Sequence, residues 1–456
     1  MSETPNPNAS AAPALRVIPR DVHGVSRKQM SRNALRVLYH LRESGFAAYL
    51  VGGAVRDLLV GRAPKDFDVA TDATPEQVKA AFRNCRLIGR RFRLAHVVFG
   101  REIIEVATFR ANGGDDDEEP GREVLESGRL VRDNVYGSIE EDAIRRDFTA
   151  NALYYSIADF GVHDYVGGFA DVQARTLRLI GEPEARYRED PVRMLRAARL
   201  AAKLGFSIEL ATAEPIPRLA GLLVDASPAR LFEETMKLFL SGHALASFEH
   251  LERLGLLPVL LPETAQSLAA NKSGALRRML VQGLRNTDAR VAAEEPVSPA
   301  FLFAVLLWPA YCYALAQLQA QGVQAAEAQR RAADRVTLRQ VTRTALPRRF
   351  SLPMQEIWLL QPRFSLRQRK RVQRLLSHPR FRAAFDFLEL RLAASNSHVD
   401  DVAFWRQAQN DPSVAGAVVA PAAELAKEPR NVVESKPPAT SNRAAAGPDA
   451  SSHGDT

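Results

Sequence analysis

The spacing of hydrophobic residues changes along the chain, and the change divides it into two parts. Up to about residue 170, short apolar runs alternate with polar positions at the two-residue spacing of β-strands, as in Asp66–Val69 and Glu102–Val106. From residue 171 onward, apolar residues recur every three or four positions, which is the spacing of amphipathic helices. The pattern predicts an α+β fold in which a head with β-strands precedes an all-α neck and body.

Both ends of the chain differ in composition from the parts between them. The first fifteen residues, MSETPNPNASAAPAL, and the stretch from Val414 onward are rich in Ala, Pro, Ser and Thr, which is typical of disorder. The predicted organisation is therefore a disordered leader at 1–24, a head at 25–170, a neck at 171–240, a body at 241–410 and a disordered tail at 411–456.

A glycine turn joins a predicted strand to a predicted helix early in the head. The apolar run Ala47–Val51 ends at Gly52 and Gly53, and helical spacing then continues to Gly61. Glycines let the backbone approach a ligand, and the free N–H groups at a helix start favour an anion such as a triphosphate. With Arg56 nearby, we expect this turn to bind phosphate; an ordinary turn is the alternative.

Two aspartates, Asp66 and Asp68, follow the turn at the spacing that places both carboxylates on one face of a strand. Like charges this close repel each other, and a hard divalent cation such as Mg²⁺ relieves the repulsion. Glu105, between apolar neighbours in another predicted strand, is a third candidate ligand. Two ions held here can activate one oxygen and stabilise a leaving oxygen in a phosphoryl displacement. The alternative is a solvated loop.

Four motifs in collinear order resemble those of class II nucleotidyltransferases, which comprise tRNA CCA-adding enzymes and bacterial poly(A) polymerases. They are GGAVRD at 52–57 with DFD at 66–68, RRDFTAN at 145–151, EDPVRMLRA at 189–197, and a block at 88–110 that contains GRRFRLAHV and EVATFR. The block at 88–110 resembles the poly(A) polymerase branch. The resemblance covers about Val25 to Phe404 and implies a polymerase-β-like head with a mixed β-sheet.

The resemblance also implies an activity and roles for single residues. It implies a template-independent polynucleotide adenylyltransferase that adds AMP from ATP to RNA 3′ ends with Mg²⁺, releases pyrophosphate, and thereby promotes RNA turnover. Glu105 remains a metal-ligand candidate from the strand pattern alone. The matched positions are Asp66 and Asp68 as catalytic metal ligands, Asp147 as a further catalytic aspartate, and Gly52, Gly53, Arg56, Arg146, Asn151, Asp190 and Arg193 as nucleotide-binding residues.

Asp190 and Arg193 match the pair with which the family reads the incoming base. An aspartate accepts hydrogen bonds and an arginine donates several, so a pair three residues apart on one helical face can read a Watson–Crick edge. The alternative is an intrahelical ion pair, worth only a few tenths of a kcal/mol. This geometry suits cytosine and adenine alike, so the preference for ATP comes from the resemblance.

The charge of the chain favours a polyanionic partner. The formal net charge is +8 and the pI is near 9.6, which suits RNA bound through its phosphates. We expect the densest run of cations to position RNA without reading its sequence; a solvated helix face is the alternative. Phe364 and Phe381 nearby are expected in the core. The cations of this run are Arg367, Arg369, Lys370, Arg371 and Arg374.

The location of the protein is expected to be cytoplasmic. Cys85 and Cys312 lie far apart, without a disulfide or zinc pattern, and the leader lacks the features of a signal peptide. The uncharged stretch Pro299–Ala316 is close to the length that spans a membrane. Because Pro309 lies in its middle, it is predicted to form two buried helical segments that meet near Trp308.

Two other functions remain open at this stage. A CCA-adding tRNA nucleotidyltransferase would use the same chemistry with CTP and ATP. A non-catalytic RNA-binding protein would keep the fold without the reaction. For the adenylyltransferase, the expected substrates are ATP and the 3′ ends of mRNA, small RNA and tRNA, without a transmembrane segment; protein partners are unknown.

Overall fold

The computed structural model describes residues 15–89, 93–111, 122–124, 130–133, 135–395 and 399–410. Several sequence-based expectations lie outside these residues. They are the first part of the leader that is expected to be disordered, Arg90 and Arg91 of the motif at 88–110, and the tail from residue 411 that is also expected to be disordered.

The strands fall mainly in the head. In chain order, β1 to β12 are Arg16–Ile18, Ala48–Val51, Asp68–Thr71, Cys85–Ile88, Leu94–Phe99, Glu102–Thr108, Arg122–Val124, Leu130–Asp133, Leu153–Ser156, Val162–Asp164, Thr176–Leu177 and Ser207–Ile208.

The helices of the head and neck lie between and after these strands. They are α1 to α11 at Arg20–His23, Arg32–Glu43, Gly53–Leu59, Pro75–Ala81, Ile139–Arg145, Gly168–Gln173, Pro183–Glu189, Val192–Leu204, Leu210–Ala213, Ile216–Leu219 and Pro228–Phe239. The body follows with α12 to α21 at Ala244–Arg253, Leu257–Leu260, Pro262–Ala270, Ala275–Ala292, Pro299–Ala320, Ala325–Thr344, Arg348–Leu360, Arg369–Leu376, Phe381–Ser395 and Val399–Asn410. Short 3₁₀ turns occupy Arg27–Gln29, Thr149–Asn151, Ala220–Asp225 and Gln361–Ser365.

The head is built on a mixed sheet with the strand order β1-β10-β9-β2-β3-β6-β5-β4. Its described pairs are antiparallel apart from β3 with β6, which run parallel. The predicted α+β class, a nucleotidyltransferase head with a mixed sheet followed by helices, is confirmed. The parallel pair lies near the middle of the sheet, and β3 and β6 carry Asp68 and Glu105.

One face of the sheet forms the main core of the head. Ala95 and Val97 of β5 and Ile104 and Val106 of β6 are buried, and they belong to one hydrophobic cluster with the apolar side of α2. The residues between them in sequence point to the opposite face, since neighbours in a strand alternate. This alternation leaves the second face of β6 available for Glu105.

The predicted disordered range 1–24 extends too far along the chain. Arg16–Ile18 forms an edge strand that pairs with β10, and Ile18 is buried in the core. A strand of three residues is too short to show a two-residue alternation in the sequence. The Pro- and Ala-rich residues before it gave no signal for the start of the ordered chain.

Helix α16 corrects the expectation of two segments meeting at Pro309. The helix is continuous from Pro299 to Ala320, with Pro309 inside it. Proline removes one helical hydrogen bond, and here the surrounding helices α14, α15, α17 and α18 hold the helix together by packing. Among the described residues it alone has the length and apolarity to cross a membrane, and 61% of its apolar window is buried within the protein, as in a core helix.

The end of the body has a hydrophobic core of its own. It is formed by Phe364, Phe381, Phe385 and Trp405, with Val372 and Leu375 of α19 packed onto it. Phe364 and Phe381 are buried, as expected. The apolar side of α19 thus faces this small core, and its cationic side faces outward.

Candidate active site

Two carboxylates face each other across the parallel strand pair. Asp68 on β3 and Glu105 on β6 are direct register partners, and partners in a sheet project from the same face. Asp66 precedes β3 and is exposed, while Phe67 and Val69 are buried. The alternation of burial therefore directs Asp66, Asp68 and Glu105 away from the core. These three residues are called the carboxylate row below.

The carboxylate row carries negative charge that its surroundings balance only in part. The pKa of Asp68 is raised to about 6, first by burial and then by the charges of Glu105 and Asp66, against the opposing effect of Arg146. Among the residues that the structure describes, no three His, Cys, Asp or Glu side chains are already arranged as a cage for a metal ion. The oxygen donors and their mutual repulsion nevertheless fit a hard divalent cation such as Mg²⁺.

The predicted phosphate-binding turn lies beside this row. Gly52 has a positive φ of 72°, and a Cβ atom on it would lie 3.6 Å from Nη1 of Arg146. Arg56 is 3% exposed. Its Nε and Nη2 atoms donate to Oδ1 of Asp57 at 3.0 and 2.6 Å, and Nη1 donates to the side-chain oxygen of Asn151. The structure thus brings Gly52, Gly53, Arg56, Arg146 and Asn151 together.

Arg146 connects the turn to the sheet. Its Nη2 donates to Oδ2 of Asp142 at 2.9 Å, and its Nε donates to the hydroxyl of Tyr154 at 2.9 Å. Burial lowers the pKa of Arg146, but Tyr154 and Asp142 outweigh burial and raise it above its ordinary value. Arg146 therefore stays cationic beside the carboxylate row.

Asp147 lies outside the carboxylate row. Its Oδ2 accepts a hydrogen bond from Nε of Arg196 at 2.7 Å, and its Oδ1 accepts from Phe148 N at 2.8 Å and from Asn151 Nδ2 at 3.1 Å. Burial raises the pKa of Asp147, but Arg196 and these hydrogen bonds outweigh burial and lower it below the ordinary value. The structure therefore places Asp147 at the contact between head and neck, with its charge already compensated.

The expected Asp190–Arg193 pair does not lie on one helical face. Asp190 has an extended backbone conformation at the C-terminus of α7, before Pro191, whereas Arg193 lies in the first turn of α8. The expectation was wrong because Pro191 starts a new helix after Asp190. Oδ2 of Asp190 accepts from Arg230 at 2.7 Å, and Arg193 donates to Oε2 of Glu189 at 2.7 Å.

Helix α11 supplies residues that the sequence pattern did not identify. Arg230 binds Asp190, and Glu234, only 4% exposed, accepts from Nε of Arg199 at 2.9 Å. Arg196 also lies 3.8 Å from Glu234. The four-residue spacing of Arg230 and Glu234 places them on one face of α11, but this spacing does not tell which helix that face meets.

The cationic run of the body is split by the structure. Arg367 pairs with Asp401 and lies 4.9 Å from the centre of the Phe404 ring. The other four cations are exposed on α19, and in the described part of the chain they show no carboxylate partner. They are Arg369, Lys370, Arg371 and Arg374.

Three families of known proteins match consecutive regions of the chain. Residues 48–178 match the Poly A polymerase head domain. Residues 205–268 match the family described as probable RNA and SrmB-binding site of polymerase A, and residues 321–441 match the polymerase A arginine-rich C-terminus.

Single relatives agree with these matches. Poly(A) polymerase I of Salmonella typhi is 53% identical over 391 residues, which are 85% of this chain and 84% of the relative. The CCA-adding enzyme of Geobacillus stearothermophilus is 39% identical, over 49% of this chain and 53% of the relative. The crystal structure of the Bacillus stearothermophilus CCA-adding enzyme in complex with CTP has a TM-score of 0.50 and 27% identity, over 84% of this chain and 94% of that one.

Proposed function

The chain belongs to the bacterial poly(A) polymerase family, and on that premise we propose that its carboxylate row transfers AMP from ATP to RNA 3′ ends. The chain is a polynucleotide adenylyltransferase. The observation that supports the assignment of the site most directly is the in-register pair Asp68 and Glu105, next to the Gly52 turn.

The reaction makes one bond and breaks another at the same phosphorus atom. The 3′-hydroxyl oxygen of the RNA bonds to the α-phosphorus of ATP, and the bond from that phosphorus to the bridging oxygen breaks, so pyrophosphate leaves with the bonding electrons. The hydroxyl proton goes to the solvent. No covalent enzyme intermediate is needed, and the work of the protein is positioning and charge neutralisation.

The carboxylates of the row are the proposed ligands of Mg²⁺. Asp66, Asp68 and Glu105 would hold it through oxygen atoms, and bound Mg²⁺ supplies Lewis-acid stabilisation of the attacking and leaving oxygens. The raised pKa of Asp68 supports this assignment because a row without a cation carries unbalanced charge. Asp147, held by Arg196, positions Asn151 at the nucleotide-binding turn.

Gly52, Gly53, Arg56, Arg146 and Asn151 are the proposed contacts to the triphosphate and sugar. Arg146 remains cationic, as a phosphate requires, and Gly52 allows a close approach of the backbone.

Asp190 and Arg193 are the proposed base readers. Each is held by another side chain, Asp190 by Arg230 and Arg193 by Glu189. The Arg230 hydrogen bond also lowers the pKa of Asp190 against the effect of burial, so Asp190 stays an acceptor for the amino group of adenine. Readers fixed in this way are suited to a base of one size.

The exposed cations of α19, together with Arg367, are the proposed contacts to the RNA backbone. Such contacts position an RNA without reading its sequence, so mRNA, small RNA and tRNA 3′ ends all qualify as substrates. The reaction takes place in the cytoplasm in this proposal, where ATP and RNA are available and where tails promote RNA turnover.

The test is extension of a generic labelled RNA, and of a tRNA lacking its terminal CCA, with Mg²⁺ and each nucleotide alone, and of the same tRNA with CTP and ATP together. The expected result is a long ladder on generic RNA with ATP alone, abolished by the double substitution Asp66→Ala/Asp68→Ala. Addition that stops after CCA on the tRNA would instead establish the tRNA nucleotidyltransferase. No extension by the unchanged protein would contradict the proposal and leave the non-catalytic RNA-binding protein as the remaining hypothesis.

A further inference from the structure

Strands β6, β5 and β4 have one exposed face. These strands continue the sheet beyond the carboxylate row, on the side away from the nucleotide-binding turn. Register pairing places Arg86 of β4 opposite His96 of β5, and His96 opposite Glu105 of β6. Since Glu105 pairs with Asp68, all four residues form one line across four strands and share a face. Nε2 of His96 lies 3.4 Å from Oε2 of Glu105.

The same face carries exposed apolar side chains beside this line. Ile88 of β4 is 47% exposed and Ile103 of β6 is 50% exposed. The opposite face of these strands is buried, with Cys85, Val97 and Ile104 in the core beneath α2 and α4. In the described part of the chain Arg86 is exposed, without an ion pair. We call Arg86, Ile88, His96 and Ile103 the outer sheet face.

The sheet order separates this face from the groups proposed to bind the nucleotide. Gly52 and Gly53 follow β2, and Arg146 and Asn151 precede β9. In the order β9-β2-β3-β6-β5-β4, all of these lie on the β2 side of the carboxylate row, whereas the outer sheet face lies on the β5 side.

The geometry of phosphoryl transfer requires two such sides. The attacking oxygen and the leaving oxygen lie roughly in line on opposite sides of the phosphorus atom. If pyrophosphate leaves toward the glycine turn, the RNA 3′-hydroxyl arrives from the β6–β5–β4 side. Arg86 lies two strand spacings, about 10 Å, from Glu105, within reach of the terminal nucleotides of that RNA.

We propose that the outer sheet face is the subsite for the last nucleotides of the RNA 3′ end. Arg86 binds a backbone phosphate, and Ile88 and Ile103 contact the faces of the terminal bases, as open sheets do when they bind single strands. The positive charge of Arg86 complements the RNA backbone. The proposal rests on the proposed function, because it uses the nucleotide side of the row to define the RNA side.

The first experiment is a crosslink that does not depend on catalysis. A short RNA with 4-thiouridine at its 3′ end is irradiated with the full-length protein without ATP, and the linked peptide is identified by mass spectrometry. The expected crosslink lies on β4, β5 or β6. A crosslink confined to the neck helices would overturn the proposal.

The second experiment measures extension kinetics for Arg86→Gln and Ile103→Ser. Each is expected to raise the KM for RNA roughly threefold to tenfold, with kcat and the KM for ATP unchanged. Arg86→Gln should also reduce the slope of log K for RNA binding against log salt concentration, by the amount expected for the loss of about one phosphate contact. The matched control is Arg32→Gln, an exposed arginine on α2, which covers the other face of the sheet. An unchanged KM for RNA and an unchanged salt dependence would refute the subsite.

Two further outcomes separate this inference from its alternatives. A dimer in solution that Ile103→Ser converts to a monomer would show that the face binds a second copy and would overturn the proposal. If Asp66→Ala/Asp68→Ala retained extension, the proposed function itself would fail. Loss of extension in that double variant, with wild-type kinetics for Arg86→Gln and Ile103→Ser, would reject the subsite alone.

Discussion

The carboxylate row and the head–neck contact both concentrate acidic side chains, but they treat the charge in opposite ways. In the row, Asp68 faces Glu105 and its pKa is raised. At the contact, Asp147 faces Arg196 and its pKa is lowered. Charge without a partner lowers the stability of the fold and is typical of sites where a ligand binds. An ion pair between two elements holds them in one relative position. For these two aspartates, the sign of the pKa shift therefore distinguishes the proposed metal ligand, Asp68, from the positioning residue, Asp147.

The largest effect is expected for Asp68→Asn. Loss of a proposed metal ligand should lower kcat by at least about 10²- to 10³-fold. The metal-free protein should nevertheless become more stable, by on the order of 1–3 kcal/mol, because the substitution removes the cost of burying the Asp68 charge and its repulsion with Glu105. Extension kinetics and denaturant unfolding in EDTA measure the two changes, and Glu43→Gln on α2 is the control. If the Asp68→Asn protein were less stable than the unchanged protein, the carboxylate row would not differ from the head–neck contact in the way described above.

The same residue predicts a pH dependence of stability. The pKa of Asp68 rises from 3.8 to about 6 on folding, so the folded state binds the extra proton between these values. Its contribution to the stability of the metal-free protein should therefore fall as the pH rises from about 4 to about 6, and stay constant above that. Unfolding at several pH values should show this slope in the unchanged protein and not in Asp68→Asn.

Asp147→Asn should change the stability of the protein in the opposite direction from Asp68→Asn. It leaves Arg196 without its anionic partner, so we expect a loss of about 2 kcal/mol of stability, together with reduced activity. Because the folded pKa of Asp147 is lowered, its contribution is present above the unfolded pKa, near 4, and is lost as the pH falls below that value. The double variant Asp147→Asn/Arg196→Gln should recover part of the loss in urea unfolding. If the losses of stability in the two single variants simply added up in the double variant, the Asp147–Arg196 pairing would be contradicted.

A smaller effect is expected for Arg230→Gln, which frees one oxygen of Asp190. If Arg230 holds the base reader in place, the use of CTP relative to ATP should rise about tenfold while the fold is retained. The ratio of kcat/KM for the two nucleotides measures this change. The control is Arg218→Gln, since Arg218 pairs with Glu184 at the surface. Equal nucleotide ratios in the two variants would show that Arg230 has only a structural role.

The smallest effect is expected on α19. Lys370→Gln should weaken RNA binding only a few-fold and lower the salt dependence by about 0.7 for the lost phosphate contact of a single strand. Fluorescence anisotropy at several salt concentrations measures it. Arg382→Gln is the control, because Arg382 already pairs with Asp386. A salt dependence that is the same in both variants would remove α19 from the RNA-binding surface.

The parts that local spacing determines could be predicted from the sequence, and the parts that depend on tertiary contacts could not. The glycine turn at Gly52 and the burial alternation around Asp68 follow from spacing of two or four residues. The prediction that Asp190 and Arg193 share one helical face was wrong because Pro191 separates two helices there. Arg230 and Glu234 were missed because their partners lie 30 or more residues away in the sequence, and no local pattern encodes such contacts.

The parallel pairing of β3 with β6 also has a consequence for folding. The chain must close a loop that contains α4, β4 and β5 before Glu105 can meet Asp68, and contacts of such sequence separation tend to form late. The repulsion between the two carboxylates should then be largely absent from the folding transition state. We expect Asp68→Asn to slow unfolding and to leave the folding rate nearly unchanged, so the charge proposed to hold the metal shortens the lifetime of the metal-free native state without hindering its formation.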